Sequence, residues 1–255
     1  MMNKDSIKRY YDTNVDQYSH SPLFPYAIRN QLLRIQKVRE LLEIYEGETV
    51  LEVGTGPAIE AEMLLKEIDV NFIGVDLSQE MLYKANDRLK KLCSERKARC
   101  IKVVQGDGEA LPFPDNSFDG AICFGALHHT PNPERMIEEL SRVVRPGRNV
   151  VILEPNRLDF MTLIQAVTKK IERGALRMSK QNLKDWAEEA KLSDIKIINY
   201  LYTPPAPQWL CDFYGAIDKF MSRVPFLNRF SINLILVGTK KSSGGISAIK
   251  RRNEK

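Results

Sequence analysis

Thr49-Val50-Leu51-Glu52-Val53-Gly54-Thr55-Gly56-Pro57-Ala58 runs from a β-type segment into a glycine turn, and the next β-type segment ends at an isolated Asp76 about twenty residues on. A glycine turn between a strand and a helix lets backbone approach a ligand where a Cβ would collide, and an acid closing the second strand can accept from both ribose hydroxyls. The pairing predicts a nucleoside-containing cofactor at the strand ends of an α/β sheet, although the turn alone is also an ordinary tight bend. A dinucleotide pyrophosphate asks for glycine at position 59, where Ile59 stands. Glu52 near the strand end gains nothing beside a phosphate and gains energy beside a cation. S-adenosylmethionine, with its sulfonium and ammonium, suits this turn better than a nicotinamide dinucleotide.

Outward from the turn, β-type and helical segments alternate, the pattern of parallel strands joined by helical crossovers. Strands are expected near 49–54, 71–77, 101–106, 118–125 and 149–154, with helices near 58–68, 79–93 and 133–145. Ile28, Leu32, Ile35, Val38, Leu41 and Leu42 recur at helical spacing ahead of the first strand. Helical stretches near 158–173 and 180–191 precede strands near 194–202 and 231–239. The long connection 203–230 carries Trp209, Leu210, Phe213, Tyr214, Ile217, Phe220 and Met221 at helical spacing, flanked by Lys219, Arg223 and Arg229. Such a face is core packing, an acceptor-site wall or a membrane-surface contact.

The order of several motifs narrows this further. Val50 to Gly56, Gly74-Val75-Asp76-Leu77-Ser78-Gln79-Glu80-Met81-Leu82, Gly106-Asp107-Gly108-Glu109-Ala110-Leu111-Pro112-Phe113, Phe118-Asp119, Leu127-His128-His129 and Arg145-Pro146-Gly147 together resemble the class I S-adenosylmethionine-dependent methyltransferases. Within them the chain is similar to the type 11 group that includes the ubiquinone and menaquinone biosynthesis methyltransferases. The resemblance is strong over 45–155. It implies an α/β fold with a Rossmann-like seven-stranded sheet, an antiparallel last strand, helices on both faces, an N-terminal helical lid and a helical insertion before the last strand. Residues 1–45 are then the lid and lead-in helix, 46–155 the cofactor-binding core, 156–240 the rest of the sheet with its acceptor-side insertion (203–230), and 241–255 a basic tail. Ala58 stands where a third glycine is commonest, a replacement expected to be tolerated at negative φ. Arg148 and Lys191 stand where glycines are usual and read as local turn variation.

Candidate cofactor contacts are Glu52, Gly54, Thr55 and Gly56 in the turn, Asp76 for the ribose, and Leu77 and Met81 as apolar surface for the adenine. Ser78 is the better cap for the following helix, which frees Asp76 for a ligand. The resemblance assigns Asp107 to the adenine amino group and the Gly108 N–H to the ring, although a turn aspartate between glycines is the structural alternative. Phe124 and Gly125 close the fourth strand, where the methionine tail belongs. Tyr11 and Tyr18, in the segment resembling a lid, would offer aromatic faces to the sulfonium. The thioether leaving group needs no protonation, so catalysis is mainly alignment and exclusion of water. Where the acceptor loses a proton, His129 is the candidate base, with His128, Glu154 and His20 behind it. No catalytic dyad is legible. Phe118-Asp119 reads as structural.

The chain has 255 residues and an excess of basic over acidic side chains of 38 to 33, too small to imply nucleic acid. Cys93, Cys100, Cys123 and Cys211 have neither paired spacing nor paired histidines, so neither zinc nor a disulfide framework is expected. Met1 to Ser19 does not read as a signal peptide, and the run Ile232 to Val237 is far short of the ~20 apolar residues of a membrane span. The expected location is the cytoplasm, with room for peripheral contact at a membrane surface. Phe124-Gly125-Ala126-Leu127 stands where amino-methylating nucleic-acid enzymes hold an extruded base, and no Pro-Cys nucleophile is present. The expected acceptor is therefore a small molecule or lipid-like compound such as a quinone precursor or isoprenoid. A catalytically silent cofactor-binding subunit and a nicotinamide oxidoreductase are the alternatives.

Overall fold

The residues of the first β-type segment divide between two cores. In a computed structural model that describes residues 2–19, 25–96, 101–201 and 211–242, β1 (Thr49–Val53) sends Val50 to one face and Leu51 and Val53 to the other, as the two-residue period of a strand requires. Parallel neighbours β2 (Asn71–Asp76) and β4 (Gly120–Phe124) flank it, and β3 (Ile101–Gln105) and β5 (Asn149–Pro155) extend the parallel set outward. At the far edge β7 (Asn233–Lys240) runs antiparallel to both β5 and β6 (Leu192–Tyr200). The sheet order is β3-β2-β1-β4-β5-β7-β6, the seven-stranded arrangement with an antiparallel last strand that the resemblance implied.

Two short helices, α1 (Lys4–Thr13) and α2 (Val15–Ser19), come first. One face of the sheet is covered by α3 (Pro25–Leu42), α4 (Ile59–Glu67) and α5 (Gln79–Arg96), whose Ile35, Leu42, Leu64 and Leu89 pack with Phe72 and Ile122. On the other, α6 (Pro133–Val143) and α8 (Lys180–Glu189) bring Ile137, Leu140 and Leu183 against Leu51 and Ile152. Burying both faces is what parallel strands of this apolar composition require. Asp119 is structural, as expected: it accepts from the Thr49 N–H at 2.9 Å and pairs with Arg145.

Several local expectations change. The stretch near 158–173 is two elements, α7 (Phe160–Thr168) and a 3-10 segment Lys170–Arg177. The break lets Gly174 meet the Leu127–His129 3-10 turn, where a Cβ on Gly174 would fall 1.6 Å from the His128 carbonyl oxygen. Ala58 adopts φ +59°, not a negative φ, and its methyl is fully buried, so packing holds it in a conformation disfavoured for a non-glycine residue. Lys191 also has φ +59°, which explains why glycine suits that turn. Arg148 is no mere turn variant: its guanidinium donates to the Asp119 carbonyl at 2.6 Å and pairs with Glu48, tying the entrance of β5 to that of β1. In the insertion, α9 (Cys211–Arg223) and α10 (Pro225–Asn228) are helical; Ile217 and Met221 are half-buried and Phe220 is exposed. Trp209, Leu210, His20 and the tail from 243 lie outside the described residues.

Candidate functional site

The turn after β1 is pinned to the end of β2. Gly54 and Thr55 both donate their N–H to the Val75 carbonyl, at 2.8 and 3.1 Å. Gly54 has φ +76°, and a Cβ there would lie 2.2 Å from the Ala126 Cβ, so the turn packs directly on the loop after β4. The Asp76 carboxylate accepts from the Gly56 N–H at 2.8 Å and from the Ser78 N–H at 2.9 Å. Ser78 Oγ in turn accepts from the Met81 N–H at 3.2 Å, capping α5 as expected. The acid is thus held in place by backbone donors. Burial nonetheless pushes its pKa above the usual carboxylate value, because the carboxyl is out of water and faces Asp12.

Gly54, Thr55, Gly56, Asp76, Leu77, Met81, Asp107, Gly108, Phe124, Tyr11, Tyr18 and His129 all line one cavity of about 560 Å³. It opens where β1, β2 and β4 end, the place that open α/β sheets reserve for ligands. Glu52 is the exception. Strand alternation puts it on the face of Val50, where it is 2% exposed, accepts from Thr55 Oγ1 at 2.6 Å and does not line the cavity. Burial raises its pKa to about 8, with the Thr55 hydrogen bond opposing the shift and Glu60 and Asp76 adding to it. It is therefore mostly neutral near pH 7, and its attraction for a cation is correspondingly weak.

α1 and α2 wall one side of the cavity with Lys4, Ile7, Tyr11 and Tyr18. Lys4 on α1 bridges Asp107 at 2.6 Å and Glu109 at 2.7 Å, and Ser78 Oγ donates to Asp12 at 2.6 Å. From α5, Lys84 pairs with Asp16 at 3.0 Å and Arg88 donates to the Ser19 carbonyl at 2.7 Å. These contacts bring Tyr11 edge-on to Tyr18 at 5.2 Å and to His129 at 5.4 Å between ring centroids. Burial, with the facing Tyr18 and the Glu172 and Asp76 charges, holds the Tyr11 phenol well above its ordinary pKa. Lys4, Asp12 and Glu172 carried no signal in the linear pattern, because their partners lie far away in sequence.

The two adjacent histidines have opposite environments. His128 is buried with Nδ1 2.6 Å from Glu154 and Nε2 3.3 Å from Glu172. Burial alone would lower its pKa, but the two carboxylates outweigh that and raise it to about 9. Glu154 also accepts from the Leu127 N–H at 2.8 Å; it is fully buried, does not line the cavity, and is a clamp on the loop after β4 rather than a base facing a substrate. His129 lies 3.7 Å from His128 between ring centroids. Its Nδ1 is 3.2 Å from the Ile171 carbonyl, which can only accept, so the proton sits on Nδ1 and Nε2 is bare. Burial and the neighbouring His128 charge depress its pKa to about 3. His128, His129 and Glu172 bring donor atoms within 4.8 Å of one another, the spacing of a metal-ligand group. With Glu154 on one nitrogen and Glu172 on the other, His128 is the centre of a charged hydrogen-bond network, and His129 stands outside it on the Ile171 carbonyl.

Residues 51–152, from the core of β1 to β5, match the family described as Methyltransferase domain. Phosphatidylethanolamine N-methyltransferase of Cereibacter sphaeroides is 30% identical over 167 residues, covering 66% of this chain and 78% of the relative. The chain belongs to the S-adenosylmethionine-dependent methyltransferases. Its cofactor is S-adenosylmethionine, and the cavity fits that group: Gly56 lines it, and a Cβ there would meet no protein atom within 4 Å, leaving the space beside the turn for a ligand. The methyltransferase is also 27% identical over 221 residues to 24-methylenesterol C-methyltransferase 2 of Arabidopsis thaliana, 80% of this chain but 60% of that relative's length. The fold matches that of Haemonchus contortus phosphoethanolamine N-methyltransferase 2, solved in complex with S-adenosyl-L-methionine, with a TM-score of 0.67 at 19% identity over 95% of this chain and 60% of the other. Family and antiparallel β7 together set the nicotinamide alternative aside.

Proposed function

We propose that this methyltransferase transfers the methyl group of S-adenosylmethionine to a lipid-like small molecule, with Asp76 accepting from the ribose hydroxyls and Asp107 with the Gly108 N–H addressing the adenine. The observation that carries the reading is the single cavity that gathers these acids at the strand ends and continues, past Phe124 and Met136, to the Tyr11, Tyr18 and His129 side chains. The sulfonium supplies an activated methyl whose leaving group is a neutral thioether. Tyr11 and Tyr18 would face that cation and keep water out, a contribution of about 0.5 to 2 kcal/mol from the aromatic faces. Thr55 and Gly56 would fix the methionine tail by backbone contact. Asp107 exchanges its Lys4 partner for the adenine amino group, or shares the two.

His129 is suited to accept a hydrogen bond from the acceptor through Nε2 and so align it with the methyl. With its pKa near 3 it is a poor proton acceptor, which favours alignment over general-base chemistry. Relatives that act on a sterol and on a phospholipid support a lipid-like acceptor. Among the described residues no helix is long and apolar enough to cross a membrane. In this reading 1–45 is lid and lead-in helix, 46–155 the cofactor core and 156–240 the acceptor side. Incubation of the protein with labelled S-adenosylmethionine and a total lipid extract, followed by mass identification of the product, tests the proposal. A labelled lipid is expected; label appearing only in water-soluble products would overturn the lipid assignment.

A further inference from the structure

α7 is built the wrong way round for a helix on the surface of a water-soluble domain. It turns the small residues Thr162 and Ala166 inward, while Phe160 and Val167 are each 71% exposed and Met161 is 52% exposed. At roughly 100° per residue, Phe160, Ile164 and Val167 share one side of the helix, with Met161 and Leu163 flanking them. An ordinary amphipathic helix buries that side and shows its polar one. Around it Arg157, Lys169, Lys170 and Arg173 are exposed. The two acids of this stretch are occupied: Asp159 accepts from the Thr162 N–H at 2.8 Å, and Glu172 faces His128. Within 157–173 the apolar face therefore has an exposed cationic rim, and both carboxylates are half-buried.

The patch lies at the cavity end of the sheet. Asn156, between β5 and α7, donates to the Arg229 carbonyl at 2.8 Å, which brings the exposed Phe226 and Phe230 to the root of α7. Beyond α7, the Ile171 carbonyl holds the ring of His129, which lines the cavity. We propose that the outer face of α7, the basic segment after it and the aromatic side chains beside α10 form a docking surface for an anionic lipid bilayer. The apolar side chains enter the acyl boundary and the cations meet lipid phosphates, so that the cavity faces the membrane. A second copy of this chain, docked through the same patch, would set one cationic rim against another. This inference rests on the lipid-acceptor reading and places that acceptor in the bilayer.

The test is sedimentation with phosphatidylcholine vesicles, with and without phosphatidylglycerol. The wild-type protein is expected to pellet with the anionic vesicles and less so as salt rises. Phe160→Ser/Val167→Ser should weaken partitioning at least tenfold, as expected for withdrawing large apolar side chains from a lipid phase. Lys169→Glu/Lys170→Glu should abolish the preference for phosphatidylglycerol. Calorimetric S-adenosylmethionine binding should match wild type in both variants, and thermal melting should match in the serine variant, whose altered side chains point away from core and cavity. Equal partitioning of wild type and the serine variant would overturn the proposal. So would a wild-type dimer in light scattering that the serine substitutions dissociate, with no vesicle binding. Vesicle binding without lipid methylation would sink the acceptor reading alone; methylation of a detergent-dispersed lipid without vesicle binding would sink the docking surface alone.

Discussion

The cavity has two walls of different physical character. The sheet wall stands on strands buried without a break: β1 from Val50 through Val53, and its neighbour β4 from Gly120 through Cys123. The lid wall is polar and local: α1 buries only Ile7, α2 buries nothing, and both are held by Lys4, Asp12, Asp16 and Ser19 acting on partners across the cavity mouth. Solvent-exposed ion pairs contribute little each, while buried apolar residues lose much when disturbed. The strand ends are therefore the wall that is costly to disturb, and α1 with α2 the wall that is less so.

Substitutions break that contrast most sharply at the strand ends. Gly54→Ala combines positive φ with a 2.2 Å approach to Ala126, and is expected to destabilise by roughly 4 kcal/mol or more in denaturant unfolding. A change below 1 kcal/mol would mean the turn and the loop after β4 are not rigidly packed.

Next in size is the buried charge. His128 holds its proton to about pH 9 when folded, against 6.5 for the ordinary imidazole, so its contribution is fully present below pH 6.5 and is lost as pH rises through about 9. Urea unfolding at about pH 6 and about pH 9.5 should show wild type losing roughly 2 to 3 kcal/mol more than His128→Asn over that window. Equal losses would place the proton elsewhere in the network.

Asp76→Ala should weaken S-adenosylmethionine binding about tenfold or more in calorimetry, the loss of a charge-assisted hydrogen-bonded pair; an unchanged constant in folded protein would defeat the ribose assignment. The smallest effect belongs to the lid. Lys4→Ala should alter stability by less than about 1 kcal/mol, yet speed cofactor release a few-fold in stopped-flow measurements by freeing α1 from Asp107 and Glu109. Unchanged release would show that the Lys4 bridge does not gate the site.

The linear pattern of alternation and motifs determined the sheet, its helices on both faces and nearly all of the candidate cofactor wall. Those features depend on short-range periodicity and on residues fixed to strand ends. Asp76 and His129 were legible from their places at or after strand ends, while Tyr11 and Asp107 were singled out only by the family resemblance. Only the tertiary structure decided that strand alternation hides Glu52 behind Thr55, that packing forces Ala58 into positive φ, and that Lys4 reaches Asp107 across 103 residues. It also decided that two neighbouring histidines differ, because one faces Glu154 and Glu172 and the other faces that first ring's charge and a carbonyl. Such outcomes depend on which groups meet in space and how far each is removed from water, and one-dimensional order carries neither quantity.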